Sequence, residues 1–391
     1  MKKVILLSVF LFGGLGVSQI LPGLSGPYYE GVHYICNTLL FICLSFIMIN
    51  VGREFNIEKD KWRSYLLDYF VAMVTAAMPW ILVALYYTFI LLPAAYWDNA
   101  QAWHENLLLS RFSAPTSAGI LFTMLAAAGL KQTWVYKKVQ VLAIFDDLDT
   151  ILLMIPLQIM MIGMKWELLG IIVVVTVLLV WGWKYMNSFK MKQDWKHILF
   201  YAVGVYFLTQ LLYFGTKFMF ADGEGIHIEV LLPAFIIGVV MKSRHKYSRA
   251  EMKVSDLISF VFMFLVGVSM PLFIGMDYST VGDSTMVTCS QPMMPWPELC
   301  FHVVVVSMLS NVGKMMPLFF YSDWDIRERL ALSIGMFTRG EVGAGIIFIA
   351  LGYNLGGPAL IISVLTIVLN LMLTSVFIVW VKRLLRKVYA A

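Results

Sequence analysis

Charge is scarce in this chain: Asp, Glu, Lys and Arg make up 14% of its 391 residues, where a soluble domain carries about a quarter. A water-facing exterior cannot be built from so few, and a mean hydropathy of +0.80 shows what takes their place. The 4 cysteines are too few and too scattered for a disulfide framework. Cys36 and Cys43 fall in an apolar run, while Cys289 and Cys300 flank a long polar segment, where a bridge would be allowed. The 6 histidines, His33, His104, His197, His227, His245 and His302, have no ligand spacing and give a zinc site no support. Low-complexity tracts are missing. So is any polar stretch large enough for a separate soluble domain: the longest, Pro93 to Glu105 and Met276 to Pro297, are loop-sized. The basic residues form no single patch, so the net charge of +5 does not point to nucleic acid.

What the chain has instead is apolar runs. A ~30 Å hydrocarbon core needs ~20 residues per crossing, and about twelve runs qualify, at roughly 4 to 21, 33 to 51, 65 to 92, 107 to 130, 137 to 162, 166 to 186, 196 to 221, 227 to 242, 255 to 275, 298 to 320, 328 to 351 and 357 to 383. The expected fold is an all-α polytopic membrane protein forming a single transmembrane domain over residues 1–391. The 25 Met and 27 Phe read as packing and lipid-facing residues. With the N-terminus in the cytoplasm, every one of the 29 Lys and Arg residues lies in an inner loop or terminus except Arg111, Lys165 and Lys217, near the outer face, and Lys314 and Arg339, inside spans. The positive-inside rule therefore gives twelve spans with both termini cytoplasmic, and the expected location is a bacterial inner membrane. Residues Lys2 to Gly16 also have the basic start and apolar stretch of a secretory leader. Its removal would leave the orientation of the remaining spans unchanged.

Ionisable groups inside spans cost roughly 2.5 to 3.5 kcal/mol each on insertion scales, so each is a functional candidate. The fifth span carries Asp146, Asp147 and Asp149 in AIFDDLDTILLMIP, the tenth carries Lys314, and the eleventh carries Arg339 and Glu341 in FTRGEVGAG. At 1.5 Å per residue, Asp146 lies about 12 Å from the inner-face Lys138, and Lys314 about 12 Å from the inner-face Ser322. Acid and base are level, so they can pair and reduce each other's desolvation cost. One lysine does not neutralise two aspartates, which argues against a purely structural ion pair. Neighbouring residues on a helix point about 100° apart, so when Asp146 faces Lys314, Asp147 faces elsewhere. A buried carboxylate in that position can hold a proton or a small hard cation, and competition between the two is the chemistry of exchange. Asp149 shares the side of Asp146, which suits either a network role or a place in an outer funnel.

Two spans carry helix-breaking sequence. In the fourth, RFSAPTSAGIL sets Pro115 among Ser113, Thr116, Ser117 and Gly119; in the eleventh, Gly340, Gly343 and Gly345 surround the two charges. Proline removes an intrahelical hydrogen bond. Breaks at corresponding places in two halves point to the binding site of an inverted-repeat transporter, where freed carbonyls and helix ends meet the ion.

At these residues the chain resembles the monovalent cation/proton antiporter superfamily, specifically sodium/proton antiporters of the NhaA and NapA type. NVGREFN at Asn50 to Asn56, LLPAFIIGVVM at Leu231 to Met241, PLFIGMD at Pro271 to Asp277 and RGEVG at Arg339 to Gly343 carry the likeness, with the aspartate pair and Lys314. Arg53 stands where the family usually has leucine, and Asp149 is an extra acid. The resemblance implies an NhaA-like fold with two crossing broken helices, and a homodimer; no cofactor is expected. A core bundle at about 65–163 and 298–383 would move against dimerisation helices at about 4–51 and 166–275. It makes Asp147 the transient sodium and proton carrier and Asp146 the ion-pair partner of Lys314; the break residues Ser113, Thr116, Ser117, Arg339 and Glu341, together with Asp149, are read as accessory from their own placement in the sequence.

The reading is a transporter and not an enzyme: an electrogenic sodium or lithium/proton antiporter serving pH homeostasis. Potassium/proton exchange is the nearest alternative. Ligand-gated potassium efflux would call for a nucleotide-binding module after the last span, where the sequence has none. A sodium-coupled organic-solute symporter on a similar scaffold has no need of a lysine level with the aspartates. An intramembrane aspartyl protease needs its carboxylates on different helices, which adjacent aspartates are not.

Overall fold

The computed structural model describes residues 2–54, 62–162, 166–219, 230–242, 248–270, 286–353 and 355–389, and the protein is an all-α polytopic membrane protein. The helices are α1 (Lys2–Ser25), α2 (Tyr29–Glu54), α3 (Trp62–Tyr86), α4 (Ala100–Ser110), α5 (Ala118–Ala127), α6 (Trp134–Ile162), α7 (Trp166–Lys184), α8 (Trp195–Met219), α9 (Leu231–Val240), α10 (Arg249–Val268), α11 (Trp296–Gly313), α12 (Pro317–Phe320), α13 (Ile326–Gly335), α14 (Glu341–Gly352) and α15 (Gly357–Tyr389). Five described runs are long and apolar enough to cross a bilayer by themselves. The 29-residue α6 is long enough but dilutes its apolar surface with Asp146, Asp147 and Asp149. Two further crossings are split into half-helices, α4 with α5 and α13 with α14.

By internal contacts the chain divides into two compact units. The first comprises Met1–Ile5, Lys61–Ile162 and Met270–Ala391; the second comprises Leu6–Asp60 and Gly163–Ser269. In the second unit, α2 packs on α9 and α8. Gly52 and Gly238 face each other so closely that a Cβ on Gly52 would lie 2.3 Å from the Phe235 carbonyl oxygen, which explains glycine at both places. Arg53 there donates to the Gln193 carbonyl oxygen at 3.1 Å and to Asn50 Oδ1 at 2.7 Å. Its role is to tie the end of α2 to the chain before α8. Of the segments carrying the family likeness, residues 55–56 and Pro271 to Asp277 lie outside the described residues.

In the first unit, the helix ends follow local sequence. Asn99 caps α4 by accepting from the backbone N–H groups of Gln101 and Ala102, Ser117 caps α5, and Asp325 caps α13 through the Arg327 N–H. Such caps satisfy backbone donors that the first helical turn leaves open. The fourth crossing begins at Ala100 and not near 107, so Glu105 belongs to a helix and not to an outer loop. Its buried carboxylate accepts from the Val287 and Thr288 N–H groups at 3.0 and 2.8 Å. Lys314 lies at the C-cap of α11 and not in mid-helix. The chain turns there because Pro317 follows, and proline disfavours continued helix in the residues before it. No disulfide joins Cys36, Cys43, Cys289 and Cys300.

Candidate functional site

The carboxylates of α6 meet both helix breaks within the first unit. At the first break, α4 ends at Ser110, a tight turn covers Arg111–Ser113, and the chain runs non-helically to the cap Ser117. At the second, α13 ends at Gly335 and α14 restarts at Glu341 after an extended Gly340. The breaks are joined directly. The Ser117 N–H donates to the Thr338 carbonyl oxygen at 3.0 Å, and the Thr116 hydroxyl donates to the Met336 carbonyl oxygen at 3.1 Å. Each break thus supplies partners for backbone groups that the other has released, which is how irregular backbone is tolerated at membrane depth.

Asp146 lies against this junction. Its Oδ2 accepts the Thr116 N–H at 2.7 Å, and Lys314 Nζ is 2.9 Å from both carboxylate oxygens. Both partners of this ion pair are fully buried. Beside the pair, α11 packs closely on α3, and Gly313 allows the approach: a Cβ there would sit 2.5 Å from the Pro79 backbone. Asp147 is buried beside it on the next position of α6. Asp149 is buried one turn further, where its carboxylate is hydrogen-bonded by Tyr69.

The accessory residues divide. Thr116 and Ser117 hold the crossing, as above. Ser113 caps its own turn through the Ser110 carbonyl at 2.7 Å and is not brought to Asp146. Arg339 is buried, with Nη1 donating to the Met336 carbonyl oxygen at 3.1 Å, so it closes the C-terminal end of α13. A cation is stabilising at that end of a helix. The side chain of Glu341 lies outside the described residues.

Arg111 corrects the sequence reading, which put it near an outer face. It is completely buried in the first break, donates from Nη2 to the Asp149 carbonyl oxygen at 3.0 Å, and stacks its guanidinium 4.8 Å from the Trp80 ring centre. The signal was its place directly before FSAPTS. Asp68 was missed as well, although it is an acid within an apolar run. It is buried, takes both oxygens of its carboxylate to Lys138 Nζ at 2.9 Å, and accepts the Tyr321 hydroxyl at 2.7 Å. This cluster ties α3, α6 and the chain after α12 together eight residues before Asp146.

The site therefore gathers three carboxylates, Asp146, Asp147 and Asp149, with three permanent or potential cations, Lys314, Arg111 and Arg339. Buried charge on this scale marks a candidate functional site, because well-packed apolar groups are often at least as stable. Among the described residues no group of three or more His, Cys, Asp or Glu forms a resident metal site. Compared with known proteins, the chain matches the family described as sodium/hydrogen exchanger, transmembrane, over residues 4–387. No curated protein matches it significantly.

Proposed function

The chain belongs to the sodium/hydrogen exchanger family, whose members move monovalent cations against protons across membranes, and from that premise we propose that it exchanges sodium or lithium for protons at Asp147, with Asp146 beside it. One observation carries this reading: Asp146 is held by Lys314 and by the Thr116 N–H where two interrupted helices cross, and Asp147 is the next residue of the same buried helix. A dehydrated sodium ion requires hard oxygen ligands, and carboxylate with backbone or hydroxyl oxygen supplies them. A proton satisfies the same carboxylate, so the two compete for it. Alternating access then delivers each to opposite sides.

The cycle is electrogenic, with more than one proton returning for each cation, so every net charge couples to the membrane potential by about 2.3 kcal/mol per 100 mV. The membrane is a bacterial inner membrane, and the distribution of Lys and Arg along the sequence supports both termini being cytoplasmic. The division into two compact units supports a moving core at about 65–163 and 298–383. The helices at about 4–51 and 166–275 would form the scaffold of a homodimer.

The test uses purified protein in liposomes with an imposed pH gradient and an internal pH dye, challenged with sodium, lithium or potassium chloride. Sodium or lithium should collapse the gradient, and Asp147→Asn, which cannot lose a proton, should abolish the response. Response to potassium alone would move the protein to potassium/proton exchange. Full activity of the Asp147→Asn protein would remove the carrier role.

A further inference from the structure

The cations among the carboxylates are held in two different ways. Lys314 is neutralised in direct contact by Asp146, much as Lys138, outside the site, is neutralised by Asp68. Arg111 is not. Its guanidinium is completely buried in the first break, and its Nη2 donates to the backbone carbonyl oxygen of residue 149 at 3.0 Å, not to a carboxylate. Nε and Nη1 are buried with no hydrogen-bond partner among the described residues. Against the guanidinium lies Trp80 of α3, its ring centre 4.8 Å away. That ring is itself fixed, because its Nε1 donates to the Leu107 carbonyl oxygen of α4 at 2.8 Å. A carbonyl and an indole attract a guanidinium without carrying the opposite charge. They therefore fix its position and leave its field in place.

Arg339 also bonds backbone carbonyls, but those of Met336 and Thr338 at the end of its own helix, α13. Arg111 reaches across to α6 instead. The carbonyl it meets there is internal to a 29-residue helix, whose own ladder already supplies a donor, so the bond is not needed to satisfy that backbone. The acids that act on Arg111 are Asp146, which Lys314 holds, and Asp149, which Tyr69 bonds. Residue 149 is two positions from Asp147, which puts the guanidinium within roughly 10 Å of the proposed carrier. Over about 10 Å, at an effective dielectric constant of about 20, one unit charge weakens binding of a monovalent cation roughly tenfold. The energy doubles for a divalent cation, so its binding is weakened roughly a hundredfold. A site with three carboxylates would otherwise suit calcium, a hard cation that takes oxygen ligands.

We propose that Arg111 is a specificity-determining residue: its ring-held, unneutralised charge keeps divalent cations out of the exchange site and leaves monovalent cations bound weakly enough to be released in each cycle. This rests on the proposed exchange at Asp147.

Calcium set against sodium tests it. The whole chain in liposomes is assayed at alkaline pH, where the half-saturating sodium concentration has stopped changing with pH. Calcium is added as a competitor, and calcium binding to the purified protein in detergent is measured by calorimetry. Arg111→Gln should lower the half-saturating sodium concentration roughly tenfold, with a lower maximal rate because release slows. It should lower the inhibitory calcium concentration roughly a hundredfold, so that preference for calcium over sodium rises about tenfold. Arg111→Lys, which keeps the charge, should return that preference to the wild-type value. An unchanged preference in Arg111→Gln would overturn the assignment. So would a Lys variant that behaves as the Gln variant does, because lost packing would then explain both. If Arg111→Gln does not fold, the wild type and Arg111→Lys decide. Both should exchange sodium undisturbed by calcium at sodium's own half-saturating concentration, and calcium that blocks or replaces sodium there overturns the assignment. Asp147→Asn in the same liposomes separates this claim from the one beneath it. Sodium exchange by that variant removes the carrier, whereas an inert Asp147→Asn with an unchanged calcium preference in Arg111→Gln removes only the role of Arg111.

Discussion

Replacing Lys314 by Gln probes the contact on which the site's architecture depends. Lys314 Nζ sits 2.9 Å from both oxygens of Asp146, and neither side chain has any exposed surface. Removing one member of such a pair leaves an uncompensated buried charge, which costs about 3 to 5 kcal/mol, whereas exposed pairs are worth about 0 to 1. Here the surviving carboxylate keeps the Thr116 N–H and the more distant Arg111 and Arg339, none of which pairs with it directly as Lys314 does, so the cost should fall within the buried range. Asp146→Asn should cost a similar amount, because it strands the ammonium at the end of α11. The double variant strands neither charge. It should lose only hydrogen bonds of about 1 kcal/mol each. A double-mutant cycle, read from the unfolding of purified protein in mixed micelles on titration with a denaturing detergent, should therefore give a coupling energy of at least about 2 kcal/mol. Additivity within about 0.5 kcal/mol, the behaviour of residues that do not touch, would refute the reasoning.

Three further outcomes follow from the same geometry. Where Asp147 is protonated, a proton must leave before each cation binds, so the half-saturating sodium concentration should rise about tenfold for each unit fall in pH; a value flat across acid and alkaline pH would contradict competition at one carboxylate. Gly313→Ala places a Cβ 2.5 Å from the Pro79 backbone, and the forced separation of α11 from α3 should cut the exchange rate by at least about tenfold, as displacement of a site by an ångström does; wild-type rates would show that the approach is not needed. Asp68→Asn should destabilise the first unit by about 2 kcal/mol in the same detergent titration, less than Lys314→Gln, because the Lys138 side chain is 16% exposed and can be rehydrated. An effect larger than that of Lys314→Gln would reverse this ranking.

Composition and period alone determine that this is a bundle of membrane helices, because a bilayer admits apolar helices of about 20 residues and little else. The acids of α6 and Lys314 were legible for the same reason: a charge in an apolar run is conspicuous. So were the two interruptions, since proline and clustered glycine mark places where a helix cannot simply continue. What the sequence could not supply is which groups meet. Arg111 looked like a residue near the outer face because the apolar run starts only at about 107, several residues after α4 begins at Ala100, and only the folded chain shows the guanidinium buried against Asp149 and Trp80. Asp68, Lys138 and Tyr321 come from three separated parts of the chain and have no common spacing to betray them. The junction of the breaks depends on backbone atoms of Ser117 and Thr338, whose partners no side-chain pattern encodes. Hydropathy acts locally and can be read along the chain; hydrogen bonds and ion pairs between distant segments exist only once packing brings those segments within about 3 Å.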